Sequence, residues 1–123
     1  MMSMMKIETI EELEALVEKN EPYVLFKHST TCPISHGAYT EFQAYCGEER
    51  EVPAYYLYVQ EARDVSNHVA EQYSIKHESP QVLYIKDGMV VWHTSHWNIK
   101  KEALEENGIM HRKLKFITGG LQQ

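Results

Sequence analysis

The stretch HSTTCPIS, His28 to Ser35, places a single cysteine in front of a proline and directly after an apolar run. That run, Tyr23-Val24-Leu25-Phe26, follows turn signals and suits a strand buried on both faces, as in parallel sheets. Pro33 suits the first turn of a helix, because its missing N–H would have had no partner there. Cys32 is therefore expected at a strand-to-helix turn. A redox pair of the C-x-x-C type would carry its second cysteine at position 35, which here holds Ser35.

Outward from this turn, the chain alternates. Thr9-Ile10-Glu11-Glu12 has the pattern of a capping box, with Thr at N-cap and Glu at N3. Ile10, Leu13, Leu16 and Val17 then recur at helical spacing through about Lys19. Asn20 and Pro22 end that helix. A second helix is expected over Pro33 to Glu49, with Tyr39, Phe42 and Tyr45 on its apolar side. Ala54 to Val59 reads as a strand. Arg63 to Tyr73 reads as a helix with Val65, Val69 and Tyr73 on one face. Val82 to Ile85, Asp87-Gly88, and Met89 to Trp92 form a strand, a two-residue turn and a strand. Asp-Gly between apolar runs is a strong hairpin signal, because a type I′ turn needs positive φ at both central positions. Asn98 is expected to cap a last helix, Ile99 to Glu106, ended by Asn107-Gly108.

The first two strands should be parallel, joined by a right-handed crossover. The hairpin is expected to add two strands antiparallel to them. The fold class is α/β: a mixed four-stranded sheet with helices on both faces. Residues 1–123 form one domain, with 109–123 as a loosely packed tail.

Composition narrows the function. Of 123 residues, 43% are hydrophobic and 24% charged, ordinary for a globule with a core. The net charge of -6 argues against nucleic acid as a partner, since phosphate contacts need a basic face. The basic run His111-Arg112-Lys113-Leu114-Lys115 reads as a solvated tail or helix end. No run approaches the ~20 apolar residues of a membrane span. Met1 to Glu8 has no apolar segment with a small-residue cleavage site, so secretion is not expected. Two cysteines do not make a disulfide framework, which favours a reducing, cytoplasmic setting.

At the start of a helix, unpaired N–H groups and the positive end of the dipole favour an anion. The thiolate of Cys32 is such an anion and is the reactive species in disulfide exchange. Cys46 lies fourteen residues further along the same helix, ~21 Å at ~1.5 Å per residue. A disulfide needs Cα atoms within ~7 Å, so Cys46 reads as structural. The histidines do not read as a metal site. His93 and His96 straddle a strand end, where side chains alternate faces, and zinc wants three or four convergent ligands. His28 and His36 flank Cys32; either would stabilise the thiolate if close, but each is expected to be an exposed polar residue. Trp92 and Trp97 read as core or hairpin packing.

The blocks Phe26 to Ser35, His77-Glu78-Ser79-Pro80-Gln81 and Trp92-His93-Thr94-Ser95-His96-Trp97 together resemble the monothiol bacilliredoxin family, whose motif is Thr-Cys-Pro-Ile-Ser. The resemblance spans about residues 6 to 107. It implies a thioredoxin fold and a cytosolic protein that removes bacillithiol from proteins carrying it as a mixed disulfide. Bacillithiol is then a co-substrate, with no tightly bound cofactor, and the partners are bacillithiolated cytosolic proteins. Cys32 would attack the bacillithiol sulfur, and Ser35 could not expel the captured group. Ser35 either donates a hydrogen bond to the Cys32 thiolate or is an ordinary helix-start serine. Thr31 and Pro33, flanking the nucleophile, would contact the bound thiol. Pro80 resembles the cis-proline of the thioredoxin fold, leaving the Ser79 backbone free to pair with a substrate strand. Two other readings stand beside this one. An iron–sulfur carrier like the monothiol glutaredoxins would have Cys-Gly-Phe-Ser rather than Cys-Pro-Ile-Ser. A non-catalytic adaptor could use the same fold.

Overall fold

The computed structural model describes residues 4–46 and 52–107. Its elements are β1 (Met4–Lys6), α1 (Ile10–Lys19), β2 (Tyr23–His28), α2 (Pro33–Cys46), β3 (Ala54–Tyr58), α3 (Arg63–Tyr73), β4 (Gln81–Lys86), β5 (Met89–Ser95) and α4 (Lys101–Glu106). The end of α2 expected near Glu49, the Gly108 stop, the basic run and the tail lie outside the described residues.

The sheet has five strands, in the order β1-β3-β2-β4-β5, where the sequence led us to expect four. The added strand, Met4-Met5-Lys6, is too short to show alternation and pairs parallel with β3 at the edge. β2 and β3 are parallel, as expected of a crossover through α2. Of the hairpin, only β4 runs antiparallel to β2. A two-residue turn reverses the chain again, so β5 runs with β2 and not against it. Asp87 and Gly88 both take positive φ, 56° and 77°, which that turn requires.

Helices cover both faces. Val24 and Phe26 of β2 pack with Ala38, Phe42, Tyr45 and Cys46 of α2 and Leu104 of α4. Tyr23 and Leu25 point the other way, into a cluster with Leu13 of α1 and Val65 and Val69 of α3. Cys46 is fully buried in the first cluster, in keeping with a structural thiol. The capping box of α1 is formed: Thr9 Oγ1 accepts the Glu12 N–H at 3.1 Å and Glu12 Oε1 accepts the Thr9 N–H at 3.2 Å. At the other end of the chain Asn98 is not a cap. It closes a short 3₁₀ turn, His96–Asn98, and α4 starts only after Lys100. The first N–H of α4, on Lys101, is taken instead by the Glu41 carboxylate of α2 at 2.8 Å.

β2 runs two residues past its apolar stretch, and alternation sends Lys27 and His28 to opposite faces. Lys27 is fully buried on the α3 side. Its ammonium donates to the Ser66 carbonyl and to His77 Nδ1, each at 3.1 Å. Burial pulls its pKa down to about 8, and burial beside this cation also holds His77 below the usual histidine range. Between pH 8 and 9.5 the unfolded chain keeps the Lys27 proton while the folded chain sheds it. Stability should therefore climb with pH across that window, at up to about 1.4 kcal/mol per pH unit. Denaturant titrations are expected to show this rise, and Lys27→Met to flatten it.

Candidate active site

Cys32 sits between the end of β2 and the start of α2, half-exposed. Its carbonyl accepts the His36 N–H at 3.2 Å, the first hydrogen bond of the helix. Cys32 is therefore the N-cap residue and Pro33 the first helical one, which fits the fixed φ of proline. Pro33 and Thr31 are exposed on either side.

Ser35 lies one turn further in and is fully buried. Its Oγ accepts the Ser29 N–H at 2.8 Å and lies 2.7 Å from His28 Nδ1. Burial, and secondarily the nearby His36, hold His28 below the usual histidine range, so its ring is neutral at pH 7. The two groups share one proton across that contact, and the imidazole tautomer decides which of them donates. Among the described residues no hydrogen bond joins Ser35 to Cys32. In the structure the hydroxyl ties the end of β2 to the first turn of α2.

His28 is buried, not exposed as the sequence led us to expect. The reason is that β2 extends through it and carries its ring under α2. There it stacks on Tyr39 at 4.7 Å and on Phe26 at 5.4 Å. His36 is exposed on the helix.

Gln60 carries no motif and was not anticipated. It follows β3, and the parallel register that sets His28 opposite Tyr58 brings it beside Thr30. Its amide nitrogen donates to Ser29 Oγ at 2.7 Å and Thr31 Oγ1 at 2.9 Å. Its carbonyl oxygen accepts the Thr30 N–H at 3.1 Å. One side chain thus holds three consecutive residues of the loop before Cys32. Gln60→Ala should slow exchange of Cys32 with a small disulfide by about threefold to tenfold, because the loop that aims the sulfur is loosened. The same change should lower stability by no more than about 1 kcal/mol, since the site is exposed. Rates and melts of the pair of proteins check both.

The Ser79–Pro80 peptide is cis. Lys27 pairs with Gln81 across β2 and β4, so Pro80 stands at the same end of the sheet as the turn that carries Cys32. The Pro80 carbonyl accepts the His96 N–H at 3.0 Å, which draws the connection between β5 and α4 to this end as well. Ser79 is half-buried, and its hydroxyl has no hydrogen-bond partner among the described residues. Of the two tryptophans, Trp92 packs partly against the α2 side of the core. Trp97 does not: it is 69% exposed on the 3₁₀ turn, because that turn lifts it off the sheet.

Comparison with known proteins agrees with this geometry. A solved protein described as a candidate oxidoreductase with a thioredoxin fold is 38% identical, with a TM-score of 0.76 over 85% of this chain and 92% of that one. A thioredoxin of Malassezia sympodialis superposes with a TM-score of 0.71 at 14% identity, over 87% of this chain and 92% of that one. A thioredoxin of Fasciola hepatica does so with 0.67 at 24% identity, over 88% and 99%. These two carry the fold alone. The family model of the monothiol bacilliredoxin BrxC matches residues 5–104. That match runs from β1 into α4 and takes in the whole Cys32 turn, and so the chain belongs to the monothiol bacilliredoxins, thiol–disulfide oxidoreductases of thioredoxin fold.

Proposed function

We propose that the protein removes bacillithiol from cytosolic proteins that carry it as a mixed disulfide, and that Cys32 is the nucleophile. The observation that carries this reading is the isolation of one accessible thiol. Cys32 is half-exposed at a helix N-terminus, position 35 is a buried serine, and Cys46 is sealed in the core.

The Cys32 thiolate attacks the bacillithiol sulfur of the mixed disulfide. A Cys32–bacillithiol bond forms as the substrate's disulfide breaks, and the substrate cysteine leaves as a thiolate that takes a proton from water. One disulfide replaces another, so no outside electrons are needed. A second bacillithiol thiolate then attacks the bound bacillithiol sulfur. This gives bacillithiol disulfide and restores the Cys32 thiolate. Thr31 and Pro33 border the incoming thiol. In this reading the Ser79 backbone, beside the cis-proline and outside the ladder of β4, pairs with an extended substrate strand.

The test is turnover. A bacillithiolated protein mixed with substoichiometric enzyme and excess bacillithiol should regain its free thiol over many cycles. No release above the rate of bacillithiol alone would reject the reading.

A further inference from the structure

A groove of about 290 Å³ runs along α2 beside the active-site turn. Ile34, Gly37, Ala38 and Glu41 form its helical wall, one face at a spacing of three and four residues. The opposite wall is the connection from β5 to α4, with His96, Trp97 and Lys100. None of these residues has a part in the exchange step.

Two features mark the groove as kept open. Trp97 is 69% exposed on its rim, a large apolar surface that the protein's own core leaves uncovered. Gly37 sits inside α2, where glycine is among the poorest helix formers. Yet a Cβ built there meets no atom within 4 Å, so packing does not require the glycine. The space it leaves belongs to the groove.

Resting on the bacillithiol reading, we propose that this groove seats the sugar and carboxylate portion of the thiol that Cys32 captures. Bacillithiol joins a cysteinyl group to an aminosugar and a dicarboxylic acid. The indole of Trp97 offers an apolar face to a sugar ring. Lys100, which has no carboxylate partner among the described residues, supplies positive charge for the acid, while Glu41 supplies an acceptor for a sugar hydroxyl. The distance also fits. The groove wall from Ile34 to Glu41 is seven residues of helix, ~10 Å, and three extended units of backbone size span ~10 Å.

The experiment compares two disulfides on the full-length protein: bacillithiol disulfide and the small neutral hydroxyethyl disulfide. In each, the Cys32 thiolate takes one half and the other half leaves as a thiolate, so the mass of the protein reports the rate. Trp97→Ala and Gly37→Leu should each slow reaction with bacillithiol disulfide by about tenfold, the equivalent of one or two lost contacts. Both should leave hydroxyethyl disulfide within about twofold of wild type, a split that altered Cys32 reactivity would not give. Gly37→Leu should not lower the melting temperature, since leucine is the better helix former and the space is open. Equal slowing with both reagents, or none with either, overturns the groove. A wild-type protein that takes hydroxyethyl disulfide but fails to accept bacillithiol from a protein substrate overturns instead the function on which it rests.

Discussion

Cys32→Ser should abolish thiol capture, with a loss of at least about a thousandfold. A serine hydroxyl without an adjacent base is a poor nucleophile, and no other sulfur can take over. Cys46→Ser should leave the rate unchanged, because that thiol is buried ~21 Å along the same helix. Mass measurement after mixing with a small disulfide reads both. The pair of results separates two assignments: were Cys46 a resolving thiol, the wild-type protein would lose its adduct to a Cys32–Cys46 disulfide and the Cys46 variant would retain it, and the protein would work as a dithiol.

The second large effect is on stability. Ser35→Ala removes the one hydroxyl that holds the Ser29 N–H and faces His28 Nδ1. Both partners are buried, and alanine offers neither a donor nor an acceptor. Each unsatisfied group costs about 1–3 kcal/mol, so a loss of about 2–4 kcal/mol is expected. For a chain of this size that lowers the melting temperature by roughly 10–20 °C. A variant that melted within a degree or two of wild type would show that the hydroxyl is replaceable, and the buried bridge between β2 and α2 would lose its assigned role.

How much of this was visible beforehand depends on the range of each signal. The Cys32 turn was legible because an apolar run and a proline lie next to it in sequence. The box at Thr9 and Glu12, the Asp87-Gly88 turn and both ends of α3 are local in the same sense. What was missed depends on partners far along the chain. Gln60 matters only because the parallel register sets it beside a loop thirty residues earlier. The apolar run ends at Phe26, and nothing next to Lys27 or His28 in the sequence signals burial. Their burial follows from β4 and β3 flanking β2 on both sides, and from α2 and α3 closing over its faces. β1 is three residues long, too few for a period. Asn98 had the chemistry of a cap, but Glu41, from another helix, had already met the need.

The most direct measurement is the mass of the protein itself after one equivalent of a bacillithiolated protein is added without free bacillithiol. A single bacillithiol adduct is expected, mapped by peptide digestion to Cys32, that persists until a thiol is supplied. An unmodified Cys32 beside a substrate that still carries its bacillithiol would contradict it, as would an adduct that disappears unaided into a Cys32–Cys46 disulfide.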